Sequence, residues 1–227
     1  GDNTVVIDVG STKTAICDAV RKHPKRGNFV ASHPMAGSEN SGSQNAGLHL
    51  LKGKKVIVCE PEYSSVLALK FATEMYESLG MSVSYMYAET HDSTMALVSH
   101  LPQIVSYGIA NTVANATSDF GNWSSVASSG FDSATRLAKS TSEVWTPVMI
   151  QNKKQIINIL NLFQQQIEKI KMMIEDGDAV AISDFIHQSQ IVREKFEKSK
   201  TNKIEKINGS KTINRLSATE VVATGIE

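Results

Sequence analysis

The chain has 227 residues, 41% hydrophobic and 20% charged, enough apolar material for one or two ordinary globular domains and too much for a disordered chain. Lysine plus arginine and aspartate plus glutamate are equal at 23 each, so no net field favours nucleic acid or a membrane surface as a partner. No apolar run approaches the ~18 residues of a membrane helix and no signal peptide opens the sequence. Cys17 and Cys59, far apart and without a CxxC spacing, read as reduced, buried thiols of a cytoplasmic protein rather than a disulfide or zinc site.

β-Branched residues in TVVIDV (4–9) predict a buried strand that begins only a few residues after Gly1. KTAICDAVRKH (13–23) carries Ala15, Ile16, Ala19 and Val20 at helical spacing and stops before Pro24. NFVAS (28–32) is the next strand, followed by the glycine-rich SHPMAGSENSG (32–42). KKVIVCE (54–60) and SVSYMY (82–87) are strands flanking a helix over roughly 62–79. This alternation implies crossover connections and a mainly parallel sheet, whose ligands sit beyond the carboxyl ends of the strands. DVGS and SHPMAGS both fall at such ends.

From about residue 89 the strand signal ends. HDSTMALVSHLPQIVSYGIANTVANA (91–116) reads as a long helix kinked at Pro102, whose ring removes a backbone donor and leaves the Val98 carbonyl without its partner. Short helices are predicted around 121–128, 132–139 and 143–151. In residues 152–178, Ile156, Leu160, Phe163, Ile167, Ile170 and Ile174 step by four and three, a heptad seam, and Ile159, Leu162 and Met173 add a second stripe. A monomeric bundle and an oligomer interface both satisfy that pattern, and two apolar sides favour the interface. Residues 181–197 form a further helix, and the lysine-rich remainder to Glu227 reads as a solvated tail.

On residue type alone, His33 is either a loop histidine capping backbone or the general base of an active-site loop, a role suited to an unperturbed pKa near ~6.5. Ser11 either N-caps the helix after it or hydrogen-bonds a ligand. His91 and His100 lie nine residues apart on one helical region, and neither they nor His23 and His49 have ligand-like spacing, so no metal site is expected. His100, beside Ser99, lines a pocket or satisfies the backbone opened by Pro102.

VIDVGSTK (6–13), SHPMAGSENSG (32–42), HDSTMALVSHLPQ (91–103) and SGFDSATRLAKSTSEVW (129–145) occur in the order and at the spacing of the prephenate and arogenate dehydrogenases of tyrosine biosynthesis. The sequence resembles that family over roughly residues 4–195. The resemblance implies a partial Rossmann-like α/β domain over 1–90, an all-helical dimerisation and substrate domain over 91–197, a tail over 198–227, and an active site between the two domains. It implies NAD- or NADP-dependent oxidative decarboxylation of prephenate to 4-hydroxyphenylpyruvate by a homodimer, with arogenate as the alternative substrate. His33 matches the family's catalytic histidine, and Ser11 a hydroxyl beside it. Arg136, Ser99, Gln103, Ser129, Gly130, Glu39 and Trp145 match the substrate pocket, with Glu39 able to pair with Arg136 when the site is empty. Val9, Gly10 and Ser38 match cofactor contacts.

The sequence also departs from the family pattern. It holds neither a GxGxxG turn nor the Lys-Ser/Thr of a P-loop, so it resembles a member lacking the first half of the nucleotide domain, and full-affinity cofactor binding is not expected. Gln103 stands where many members have histidine, and Asp132 where they have a basic residue. Both changes remove positive charge, which favours the ammonium group of arogenate. The competing reading is a helical dimer module without turnover. A hydroxyacid dehydrogenase using a lysine such as Lys139 fits the HPMAG and SHLP blocks less well.

Overall fold

A computed structural model of the chain describes residues 4–37 and 47–220. Four strands, β1 (Val6–Asp8), β2 (Phe29–Pro34), β3 (Lys55–Cys59) and β4 (Ser82–Met86), lie side by side in chain order. The β1–β2 and β3–β4 ladders are parallel and the central β2–β3 ladder is antiparallel, so the sheet is mainly parallel, as its alternation with helices implied, with one reversal. The connections explain the difference. A helix spans each parallel step, α1 (Thr14–Val20) before β2 and α2 (Val66–Ser78) before β4, whereas the described part of the β2–β3 link carries only the 3₁₀ turn Leu48–Leu50.

Alternate strand residues sort to opposite faces of the sheet. Ala31, Ile57 and Cys59 pack with Cys17 of α1 and with Ala88 and Met95 of α3 (Ala88–Met95). Val30 and Val58 pack on the other face against Ala68 and Ala72 of α2. Each fully buried valine contributes roughly 1.5–3 kcal/mol by leaving water. His33, two residues on from Ala31, shares its face with α1 and α3. Ser32 has the opposite parity: its hydroxyl donates to the Asp8 carbonyl at 2.6 Å and accepts from the Tyr76 hydroxyl of α2 at 2.6 Å.

After α3 the helix widens into a π turn, Ala96–His100, in which the Leu101 N–H reaches the Ala96 carbonyl, and continues as α4 (Leu101–Phe120). The kink foreseen at Pro102 thus takes the form of a wide turn, with Pro102 at the start of a new helix where its missing N–H costs least. The helix expected over 121–128 is instead a single 3₁₀ turn, Trp123–Ser125, in a segment whose serine, glycine and asparagine favour turns. α5 (Ser129–Thr135) runs directly into a 3₁₀ turn, Arg136–Lys139, and α6 (Ser142–Gln151) follows. α7 (Lys153–Glu175) ends at Gly177, whose φ of 65° lets the Asp178 N–H reach back to the Met173 carbonyl at 3.0 Å. The helix expected to close near 197 continues as α8 (Ala179–Glu220), since no proline interrupts it.

The chain forms two compact units, Gly1–Leu162 and Phe163–Glu227. The first therefore holds the sheet together with α1–α6. In the second, Met173, Ala181, Phe185 and Val192 line one groove between α7 and α8. The predicted seam is only partly covered by the chain itself: Ile156 is buried, while Ile167 and Ile174 are 47% and 63% exposed. None of the described helices is long and apolar enough to cross a membrane.

Candidate active site

The carboxyl ends of β1 and β2 lie together because the two strands are parallel. Two residues beyond the Asp8–Ala31 pair stand Gly10 and His33. The β1 turn folds back on itself, with the Gly10 N–H donating to Asp8 Oδ1 at 3.1 Å, and it leaves Val9 60% exposed. A Cβ at position 10 would stand 3.2 Å from that oxygen, which is why glycine suits the turn. Lys13 is fully buried behind it: its ammonium pairs with Asp8 and donates to the Ser32 carbonyl at 2.7 Å.

Ser11 does not cap α1. The backbone N–H groups of Lys13 and Thr14 donate to Asp92 Oδ1 and Oδ2, each at 2.8 Å, so a carboxylate from α3 closes the amino end of α1. The same carboxylate meets His91 Nδ1 at 2.8 Å, and His91 Nε2 lies 2.9 Å from His33 Nδ1. Three side chains thus run in line from Asp92 to His33, and the two imidazoles meet edge to face with centroids 5.1 Å apart.

A second set of contacts leads away from Asp92. The Asn152 amide donates to the Asp92 carbonyl at 2.8 Å and lies 3.2 Å from His100 Nδ1. The His100 ring packs edge-on against Trp145 at 5.8 Å. His100 is 1% exposed, so the question of pocket lining against backbone repair resolves into a third role, a buried tie to Asn152. One turn further on, Gln103 Nε2 donates to the Leu137 carbonyl at 2.6 Å, beside Arg136. Polar contacts therefore connect the His33 end of the sheet to the segment carrying Arg136.

Burial sets the charges. It pushes His33 down to about 3, helped by the neighbouring His91, Lys13 and His100 and opposed by Asp92. Burial likewise pushes His100 down to about 4. For Asp92 burial works upward, but hydrogen bonds from His91, Thr14 and Lys13 outweigh it and hold the carboxyl below its ordinary value. Two uncharged imidazoles accordingly share the site with an ionised carboxylate.

The model of the prephenate dehydrogenase nucleotide-binding domain matches residues 1–85, and that of the prephenate dehydrogenase dimerization domain matches residues 87–188. The chain belongs to the prephenate dehydrogenase family. It is 27% identical over 192 residues to a cyclohexadienyl dehydrogenase of Zymomonas mobilis, covering 84% of this chain and 66% of that protein. It is 28% identical to a prephenate dehydrogenase of Bacillus subtilis over 77% of this chain and 47% of that protein. The chain therefore spans between about half and two thirds of the length of these relatives. Among solved structures, it is similar to Aquifex aeolicus prephenate dehydrogenase in complex with hydroxyphenyl propionate and NAD+, at TM-score 0.79 and 27% identity over 86% of this chain and 68% of that one. It is also similar to Synechocystis arogenate dehydrogenase, at TM-score 0.71 and 26% identity over 86% of this chain and 70% of that one.

Within this prephenate dehydrogenase family chain, Val9, Gly10 and Ser11 follow the carboxyl end of β1, and His33 stands near that of the parallel β2. Ser99 is half-buried in the π turn, and Trp145 is half-buried on His100. Arg136 is exposed at the head of its 3₁₀ turn, as are Ser129, Gly130 and Asp132 on α5. Gln103 is buried and its amide nitrogen is engaged with Leu137, so it holds the Arg136 segment rather than offering that nitrogen to a ligand. Ser38 and Glu39 lie outside the described residues. Sequence reasoning missed Lys13, His91, Asp92 and Asn152. His91 and Asp92 stood in plain view in HDSTMALVSHLPQ, but nine residues of regular helix put His91 and His100 on opposite faces, and only the π turn changes that phase.

Proposed function

We propose that this chain carries the catalytic base and substrate pocket of a dehydrogenase that converts prephenate to 4-hydroxyphenylpyruvate and carbon dioxide with NAD. The observation that supports this reading is His33, a half-buried and uncharged imidazole at the carboxyl end of β2, beside the exposed Val9–Gly10 turn of β1. Bound NAD supplies the acceptor for the hydride that leaves the ring carbon. His33 takes the proton of the hydroxyl on that carbon, and Ser11 hydrogen-bonds the same oxygen. Arg136 grips a substrate carboxylate through its planar guanidinium. The bond to the departing carbon dioxide then breaks, its electrons enter the ring, and the oxygen recovers a proton as a phenol.

The described residues suit one end of the dinucleotide. Val9 and Gly10 are open to a flat ring, whereas the β1–α1 turn cannot receive a pyrophosphate, because Asp92 already holds the N–H groups of Lys13 and Thr14. Exposed Ile167 and Ile174 on α7 and Ile186 on α8 support association as a homodimer through the helical part. Cys17 and Cys59 are both free and buried, with burial pushing each thiol up to about 12, so neither is poised as a nucleophile. A second reading rests on Asp132, an exposed carboxylate four residues before Arg136: it favours arogenate, whose ammonium replaces the keto group of prephenate.

Calorimetry with NAD, absorbance at the reduced-cofactor band with prephenate and with arogenate, and sedimentation of the same sample test this proposal. Prephenate-dependent reduction by a dimer is expected. A dimer that binds no NAD and turns over neither substrate overturns it in favour of a helical module without catalysis.

A further inference from the structure

We infer that His91, oriented by Asp92, is the positioning residue that fixes His33 in the tautomer bearing its proton on Nδ1, leaving the Nε2 lone pair for the substrate hydroxyl. The inference rests on the reading of His33 as the base. It follows from which atoms can donate. An ionised carboxylate only accepts, so the 2.8 Å contact of Asp92 Oδ1 requires a proton on His91 Nδ1. His91 and Asp92 are 0% and 1% exposed, and a second proton on His91 would place a further charge where no water solvates it. His91 Nε2 is then a bare acceptor, and the 2.9 Å contact with His33 Nδ1 requires the proton to sit on His33. Each link in the line carries one proton, and the last free lone pair is His33 Nε2.

The carboxylate itself is held in place. It accepts from Lys13 and Thr14 as well as from His91, so its two oxygens are committed to the entry of α1 and to the imidazole together. The groups facing His33 are His91 and Asp92 from α3, Lys13 from the start of α1, and His100 from the π turn. When His33 Nε2 accepts the hydroxyl proton, the resulting cation keeps its Nδ1–H bond to His91, and Asp92 offsets the charge from one imidazole away. No proton needs to reach Asp92. Free imidazole side chains favour the opposite tautomer, with the proton on Nε2, so this arrangement has to be imposed.

Nitrogen-15 spectra of the histidine side chains in the full chain report the tautomer directly, with the His33 signals assigned by their loss in His33→Gln. His33 is expected with a protonated Nδ1 and a bare Nε2. His91→Leu is expected to shift it to the Nε2–H form and to lower kcat for prephenate roughly 10- to 100-fold with KM unchanged, the usual scale for a group orienting a reactive one. His91→Gln, whose amide oxygen accepts from His33 Nδ1, is expected to keep the tautomer and recover most of kcat. His33 in the Nε2–H form in the unsubstituted chain overturns the inference, as does an unchanged tautomer in folded His91→Leu. The spectra need neither NAD nor substrate. An Nδ1–H His33 in a chain without turnover supports the positioning and overturns the functional reading, whereas an active chain with Nε2–H does the reverse.

Discussion

His33 and Arg136 differ in what burial leaves them. A histidine pushed down to about 3 stays uncharged throughout the physiological range, so its lone pair is always present. His33→Asn is expected to lower kcat by roughly 10²- to 10⁴-fold with little change in KM, since a general base acts only as the proton moves. Steady-state rates with prephenate check the split between the two constants. Arg136 is exposed and its gain is made on binding. Arg136→Ala is expected to raise KM about tenfold, the lower end for a hydrogen bond to a charged group, and Arg136→Lys to recover only part, because an ammonium cannot form the paired contact. A larger effect on kcat than on KM for Arg136→Ala sinks the assignment.

Among the elements, α1 depends on a residue seventy-eight positions away from its first turn. Asp92→Ala removes the cap and strips His91 of its partner, and it is expected to destabilise the chain by about 1–3 kcal/mol, read as a lower urea midpoint. Hydrogen exchange should quicken first at the amides of Lys13 to Cys17; uniform quickening across the sheet would show that the cap is not local. This long reach also explains how much of the chain was legible. Strands were readable because β-branched runs at 4–9 and 54–60 have no other comfortable conformation. The reversed β2–β3 ladder was not, because it depends on the link at residues 35–54 rather than on either strand. His33 and Ser11 stood out at strand ends within matched motifs, while Asn152 carries no pattern at all: its role comes from packing beside Asp92. Gln103 drew notice for the charge it lacks, and packing turns its amide to Leu137 instead.

At the scale of the whole molecule, the half-buried His33 and the buried His100 make stability depend on pH. His33 and His100 sit at about 3 and about 4 when folded and near ~6.5 when unfolded, so below ~6.5 the unfolded chain binds protons that the folded chain refuses. Their contribution is fully present above ~6.5 and is lost as pH falls through about 4 for His100 and about 3 for His33; Asp92, held low, adds a loss in the same direction at acid pH. Urea midpoints measured between about pH 7.5 and about pH 4.5 are expected to fall, and the His33→Gln, His100→Gln double variant to fall less steeply. Parallel slopes for the two proteins would mean that other groups dominate.

The wide turn at Ala96–His100 holds one residue more than an ordinary coil needs. It works as a vernier between two gears: cutting that surplus out would straighten the rod and swing everything after it by about 100°. Such a shortened protein would keep its helices, yet Asn152 would no longer reach the Asp92 carbonyl. Length at this one place is thus a matter of timing along the chain.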